Sequence, residues 1–235
     1  MSNFILHIDT ASARGLVMIS ENGVPVRAIT NQNPMEHASF VQPAIRRLLE
    51  DTGLVGSQFR CVAVANGPGS YTGLRVGLAA AKGLCYAWKI PLSTLSSLGI
   101  LAMATRDLVQ ERNIGNMPQD YYLAPMIDAR RMEVFFALYR QQGLKEIFPP
   151  CAQILESGFL AEWLRENTVF FAGDGALKWQ SICQSPNAHF VDTHQTEGAF
   201  AHLAMEYSKA SRYADLAYAE PFYAKDFYSP IITTK

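Results

Sequence analysis

Asn66-Gly67-Pro68-Gly69-Ser70-Tyr71-Thr72-Gly73-Leu74-Arg75-Val76-Gly77 decides the reading of this chain. The apolar run Arg60-Cys61-Val62-Ala63-Val64-Ala65 before it reads as a buried strand, and a small-residue helix, Leu74 to Trp88, follows it. Strand, glycine loop and helix in that order form the setting in which backbone N–H groups at a helix start hold an anion. The segment is not a P-loop, because no Gly-Lys-Ser/Thr follows its glycines, and Pro68 and Tyr71 break the dinucleotide spacing. Spacing alone leaves a phosphate-facing loop, with Ser70 and Thr72 toward the anion, beside a tight structural turn. The helix poses a similar choice. Gly73, Gly77, Ala80 and Ala81 recur every three or four residues and leave a smooth stripe. Glycine costs roughly 1 kcal/mol relative to alanine inside a helix, so the stripe calls for close approach, within the monomer or across a subunit interface.

On the N-terminal side, Phe4 to Thr10 reads as a strand ending in a polar turn, and Gly15 to Ser20 as a second. Asn22-Gly23 makes the hairpin turn to a third strand near Val26 to Thr30. Asp9 and Thr10 lie in the turn between the first two strands, where they could face a phosphate or serve local hydrogen bonding. An amphipathic helix, 36–52, carries Phe40, Val41, Ala44, Ile45, Leu48 and Leu49 at helical spacing, with Gly53 as its stop and Pro43 in its first turns. Beyond the decisive segment, Ile90 to Thr94 reads as a strand, and Ser96 or Ser97 caps a helix through Arg106.

The second half repeats the first. Leu123 to Asp128 is a strand ending in Ile-Asp, as Ile8-Asp9 was. Arginine turns and the strand Glu133 to Tyr139 follow, and Val169 to Ala172 enters the glycine turn Gly173-Asp174-Gly175. The order suggests a duplicated α/β unit: a first lobe over 1–107, a second over 108–197, and a helix at 198–210 whose segment, 198–235, returns to the first lobe.

Composition narrows the function. Net charge is −1 at pH 7, and the only adjacent arginine pairs are Arg46-Arg47 and Arg130-Arg131, so a basic nucleic-acid stripe is absent. Hydrophobic residues make up 49%, but no uninterrupted apolar run approaches the roughly 20 residues of a membrane span. The start lacks a signal-peptide pattern, so a cytoplasmic location is expected. Cys61, Cys85, Cys151 and Cys183 form no Cys-x-x-Cys pair, and no His-x-x-x-His occurs, so neither a metal nor a nucleophile motif is seen. His7, on an apolar strand, reads as a core histidine.

Ile8-Asp9-Thr10-Ala11, His37, the segment Asn66 to Gly77, Ala80-Ala81-Lys82-Gly83-Leu84 and Asp128-Ala129-Arg130-Arg131 closely resemble the TsaB (YeaZ) family. The tail Glu220-Pro221-Phe222-Tyr223-Ala224-Lys225 resembles the family's Pro-x-Tyr-x-Arg ending, with Lys225 in place of arginine. The resemblance implies an α/β, actin-like ATPase (ASKHA) fold of two related lobes, each a mixed sheet flanked by helices. It implies a non-catalytic subunit for making threonylcarbamoyladenosine beside the anticodon of tRNAs that read codons beginning with A. Its partners would be the TsaD transferase, a paralogue, and the TsaE ATPase; it would be a homodimer when alone, reach tRNA only through the complex, and have no cofactor or metal of its own. Nucleotide would enter only within the complex. Histidines that bind metal in TsaD-like enzymes fall at Ser97 and Leu101 here. The subunit interface would take His37, Phe40, Val41, Ala44, Gly73, Gly77, Ala80 and Ala81, leaving Asp9, Thr10, Ser70 and Thr72 as vestigial phosphate-facing residues. A stand-alone actin-like phosphotransferase gripping ATP with those four is the rival reading.

Overall fold

A computed structural model describes residues 3–112, 118, 120–193 and 195–225. The chain opens with β1 (Phe4–Asp9), β2 (Gly15–Glu21) and β3 (Val24–Asn31). The β2–β3 turn has positive φ at both Asn22 and Gly23, as its sequence required. α1 (His37–Thr52) follows and ends on Gly53 at φ 69°, whose N–H returns to the Leu49 carbonyl. Then come β4 (Phe59–Ala65), α2 (Tyr71–Trp88), β5 (Leu92–Leu95) and α3 (Ser97–Arg112). α2 begins three residues earlier than its apolar pattern suggests, because the Ser70 side chain accepts a hydrogen bond from the Gly73 N–H and caps it. α3 outruns its expected end at Arg106, since Leu108 and Val109 still find partners in the core.

The second half supplies β6 (Tyr122–Asp128), β7 (Glu133–Arg140), β8 (Lys145–Ile154), α4 (Trp163–Glu166), β9 (Val169–Ala172), α5 (Ala176–Gln180), β10 (Ala188–Val191) and α6 (Glu197–Lys209). The first sheet runs β3-β2-β1-β4-β5 and the second β8-β7-β6-β9-β10. Both open as an antiparallel meander and close with two parallel strands. This repeated order is the actin-like ATPase fold.

α1 and α2 cover one face of the first sheet, where Val41, Ile45 and Leu48 meet Leu78, Ala81 and Cys85. α6 covers the other face, placing Phe200 and Ala204 against Ile5, Met18 and Ala63. α3 lies between the two sheets. Ile100, Met103 and Ala104 join the first core, while Leu98, Leu101 and Ala102 join the second. After α6 the chain runs back over the first lobe, and Ala214 bridges Leu92 at the β5 edge. Residues 226–235 of the segment expected to return lie outside the described residues. No helix among the described residues is long and apolar enough to cross a membrane.

Candidate functional site

The glycine loop between β4 and α2 is filled by the protein itself. A Cβ on Gly69 would lie 2.3 Å from the Ala11 carbonyl oxygen, and one on Gly73 would lie 1.9 Å from that of Thr10. At Gly67, φ is 109° and a Cβ would lie 2.4 Å from the Phe222 carbonyl oxygen. Ser70 donates its N–H to Ala11, and the Thr10 hydroxyl donates to the Gly73 carbonyl at 2.7 Å. The glycines thus bring the β1 turn and the C-terminal segment against the loop, which favours the tight structural turn. Thr10 is buried in that contact, and the Asp9 carboxylate accepts from the Ala11 N–H at 2.9 Å. Of the four residues expected to face phosphate, Thr10 is spent on packing, Ser70 caps α2, Thr72 is exposed and Asp9 lines a cleft.

The small-residue stripe packs within the monomer, one of the two readings that its spacing left open. A Cβ on Gly77 would lie 2.5 Å from the Thr10 hydroxyl oxygen. Gly73, Gly77 and Ala81 face their own sheet, and His37, Val41 and Ala44 of α1 are buried as well. The His37 ring hydrogen-bonds the Ser12 carbonyl through Nε2 at 2.9 Å. These six residues therefore pack within the monomer. Phe40 and Ala80 are partly open. Open positions recur on another face of α2, at Thr72, Ala79, Gly83 and Ala87, with Val76 half-buried beside them. One hundred degrees per residue places these five on a ridge pointing away from Leu74, Leu78 and Ala81. A Cβ on Gly83 would meet nothing within 4 Å. Sequence reasoning missed this ridge, because periodicity marks two small-residue faces without saying which one the sheet covers.

A cleft of about 470 Å³ separates the lobes. Asp9, Arg14, Ser97, Leu101, Asp174 and Thr193 are among its lining. Burial pushes the Asp9 carboxyl above its ordinary range, against the pull of the Ala11 N–H and of Arg14 and His37. Arg14 forms an ion pair with Glu197 at the start of α6, so this cation of the cleft is already engaged. Ser97 and Leu101 sit one turn apart at the start of α3. Leu101 presses on Gly173, where a Cβ would come within 2.6 Å of the leucine methyl. Among the described residues, no three His, Cys, Asp or Glu side chains gather in a way that could hold a metal ion. Burial also pushes the Cys61 thiol up to about 12 and the Cys85 thiol to about 11, which makes both poor nucleophiles.

Residues 30–219 match the family described as TsaD: tRNA N6-adenosine threonylcarbamoyltransferase. A Bacillus subtilis protein named tRNA threonylcarbamoyladenosine biosynthesis protein TsaB is 34% identical over 186 residues, 76% of this chain and 74% of that one. The protein of the same name from Escherichia coli is 31% identical over 144 residues, 58% of this chain and 55% of that one. That match spans little more than half of the Escherichia coli relative. Among solved structures, YeaZ from Pseudomonas aeruginosa superposes with a TM-score of 0.74 at 24% identity, covering 94% of this chain and 99% of that one. A second Pseudomonas aeruginosa structure, described as similar to peptidase YeaZ, gives the same TM-score at 23% identity, over 95% and 100%. Matched across most of its length in sequence, and across nearly all of it in fold, this chain belongs to the TsaB (YeaZ) family.

Proposed function

We propose that the protein takes part in the biosynthesis of threonylcarbamoyladenosine in tRNA as a non-catalytic subunit. It docks on a TsaD-like paralogue through the outer faces of α1 and α2. The observation that carries this reading is Gly83. An interior helix glycine costs roughly 1 kcal/mol relative to alanine, and Gly83 has no neighbour of its own to explain it. It lies in the ridge of Thr72, Val76, Ala79 and Ala87, where a second helix can approach closely. Ala80 borders this ridge and Phe40 is partly open on α1, whereas Gly77 is buried against Thr10. A paralogue carries helices in the same places, so the ridge also fits a second copy of this chain, and the subunit alone is expected to form a homodimer.

The chemistry at the cleft supports a supporting role. The loop that would cradle phosphate is occupied by backbone, and Arg14 is paired to Glu197. The test is reconstituted tRNA modification with a TsaD-like transferase, a TsaE-like ATPase and the threonylcarbamoyl donor. Wild-type chain supports the product, whereas Gly83→Trp, folded with an unchanged Tm, neither co-purifies with the transferase nor supports modification. Full modification by Gly83→Trp overturns the interface. ATP turnover by the isolated chain establishes the phosphotransferase reading in its place.

A further inference from the structure

The segment that leaves α6 touches both lobes. Ser211 turns the chain at φ 54°, Ala214 donates its N–H to the Leu92 carbonyl at 2.8 Å, and Leu216 and Ala219 settle on the core under α2. From there the strap is held largely by its own carbonyls. The Lys82 amine donates to those of Ala217 and Ala219 at 3.0 and 3.1 Å, and the Asn66 amide donates to that of Glu220 at 2.9 Å. The Phe222 N–H returns a bond to the Asn66 carbonyl at 2.8 Å. At the start of α2 the strap is held by side chains. Arg75 donates to the Tyr223 hydroxyl at 3.0 Å and lies 4.1 Å from the centre of the Tyr71 ring, and the two tyrosine rings stand 5.0 Å apart.

The last described residues cross to the other lobe. Phe222 lies over a crevice with Asn66, Gly67 and Leu95 on the first-lobe side and Glu146, Pro149 and Pro150 of β8 on the other. Lys225 then meets Glu133, the first residue of β7, at 2.5 Å. We propose that residues 211–225 act as a clasp that ties the glycine loop of the first lobe to β7 and β8 of the second and holds the lobes at a fixed angle. Gly67 belongs to this device, because any side chain there would strike the Phe222 carbonyl and lift the strap from its seat.

The clasp stands on these contacts alone. One consequence rests on the docking reading above: the strap runs along the flank of α2 that carries Arg75 and Lys82, beside the Thr72–Gly83 ridge. A partner seated on the ridge is therefore in contact with the clasp's seat and able to change the angle between the lobes.

Peptide-resolved hydrogen exchange on the full chain, without any partner, tests the clasp separately from docking. Tyr223→Ala/Lys225→Ala should exchange about fivefold faster than wild type in residues 214–225, and also in the loop 66–72 and in strand residues 145–150 across the crevice. Lys225→Glu alone should reproduce part of this, about threefold, and Lys225→Glu/Glu133→Lys should restore wild-type exchange, because the ion pair is re-formed with its ends exchanged. Faster exchange confined to 214–225, with 66–72 and 145–150 unchanged, shows that the strap only decorates the surface and ends the proposal. Failure of the charge swap to restore protection overturns it as well.

Discussion

Gly77 and Gly83 are equivalent in the sequence, two glycines inside one helix, yet their surroundings demand opposite outcomes from the same substitution. At Gly77 a methyl group meets the buried Thr10 hydroxyl at 2.5 Å, and Thr10 cannot retreat without losing its bond to Gly73. Gly77→Ala should lower unfolding stability by about 2 kcal/mol, strain of about 3 offset in part by helix propensity. Gly83→Ala should raise it by roughly 0.5–1 kcal/mol, because the methyl group enters open space and only the propensity term acts. Urea denaturation of the pair checks both signs, and a stabilising Gly77→Ala contradicts the packing described for α2. His7 is a second residue with a measurable signature. Its ring is fully buried, bonded to Ser20 at 2.7 Å, and burial lowers its pKa to about 3. The unfolded chain, with a histidine pKa near 6.5, binds the proton that the folded chain refuses. The histidine's share of stability therefore falls as pH drops below about 6.5, by about 3 kcal/mol between pH 7 and pH 4. Asp9, with its carboxyl pushed upward, contributes the opposite slope. His7→Gln isolates the histidine's part: its stability between pH 7 and 4 should change less steeply than that of wild type, and equal slopes would refute the assignment.

Elements were legible where local chemistry and packing agree. The Asn22-Gly23 hairpin, the Gly53 stop of α1 and the β1, β4 and β9 strands follow from turn residues and apolar runs that tertiary contacts reinforce. β8 escaped because Pro149 and Pro150 argue against a strand; they stand because β8 is a sheet edge and because they fall where its register with β7 shifts, between the Phe136–Cys151 and Leu138–Phe148 pairs. β10, α4 and α5 are four or five residues long, too short to show a period. The proposed interface was half legible. The sequence pointed to α1 and α2, but which side of α2 stays open depends on which side the sheet covers, and the sequence has no local mark for that. α1 keeps one internal irregularity open to test. Pro43 sits in its interior, exposed, and has no N–H to give to the carbonyl four residues back. Pro43→Ala should restore that bond and stabilise the protein by about 1 kcal/mol, the propensity gain being offset in part by a looser unfolded chain. Denaturant midpoints of the two proteins decide it, and a destabilised variant shows that the proline fits the bend of α1 better than a regular turn would.

At the scale of the whole molecule, two lobes with separate sheets share α3. A chain of 235 residues in two lobes would ordinarily unfold through an intermediate. Here α3 places Ile100, Met103 and Ala104 in the first core and Leu98, Leu101, Ala102 and Val109 in the second. It also packs on α6, which seals the far face of the first sheet. Neither core can lose its order without stripping one side of a helix that the other core needs, and the charged exterior that would let α3 survive alone is missing over most of its length. Unfolding should therefore be a single transition. In a urea series read by peptide-resolved hydrogen exchange, segments 59–65 and 169–172 should lose protection at the same midpoint. Ala102→Leu overfills the second core alone and should lower both midpoints together, by the equivalent of about 2 kcal/mol. If only the second-lobe segment moves, the lobes are independent and α3 is a linker; a common shift makes it the element through which strain in one lobe reaches the α1–α2 surface of the other.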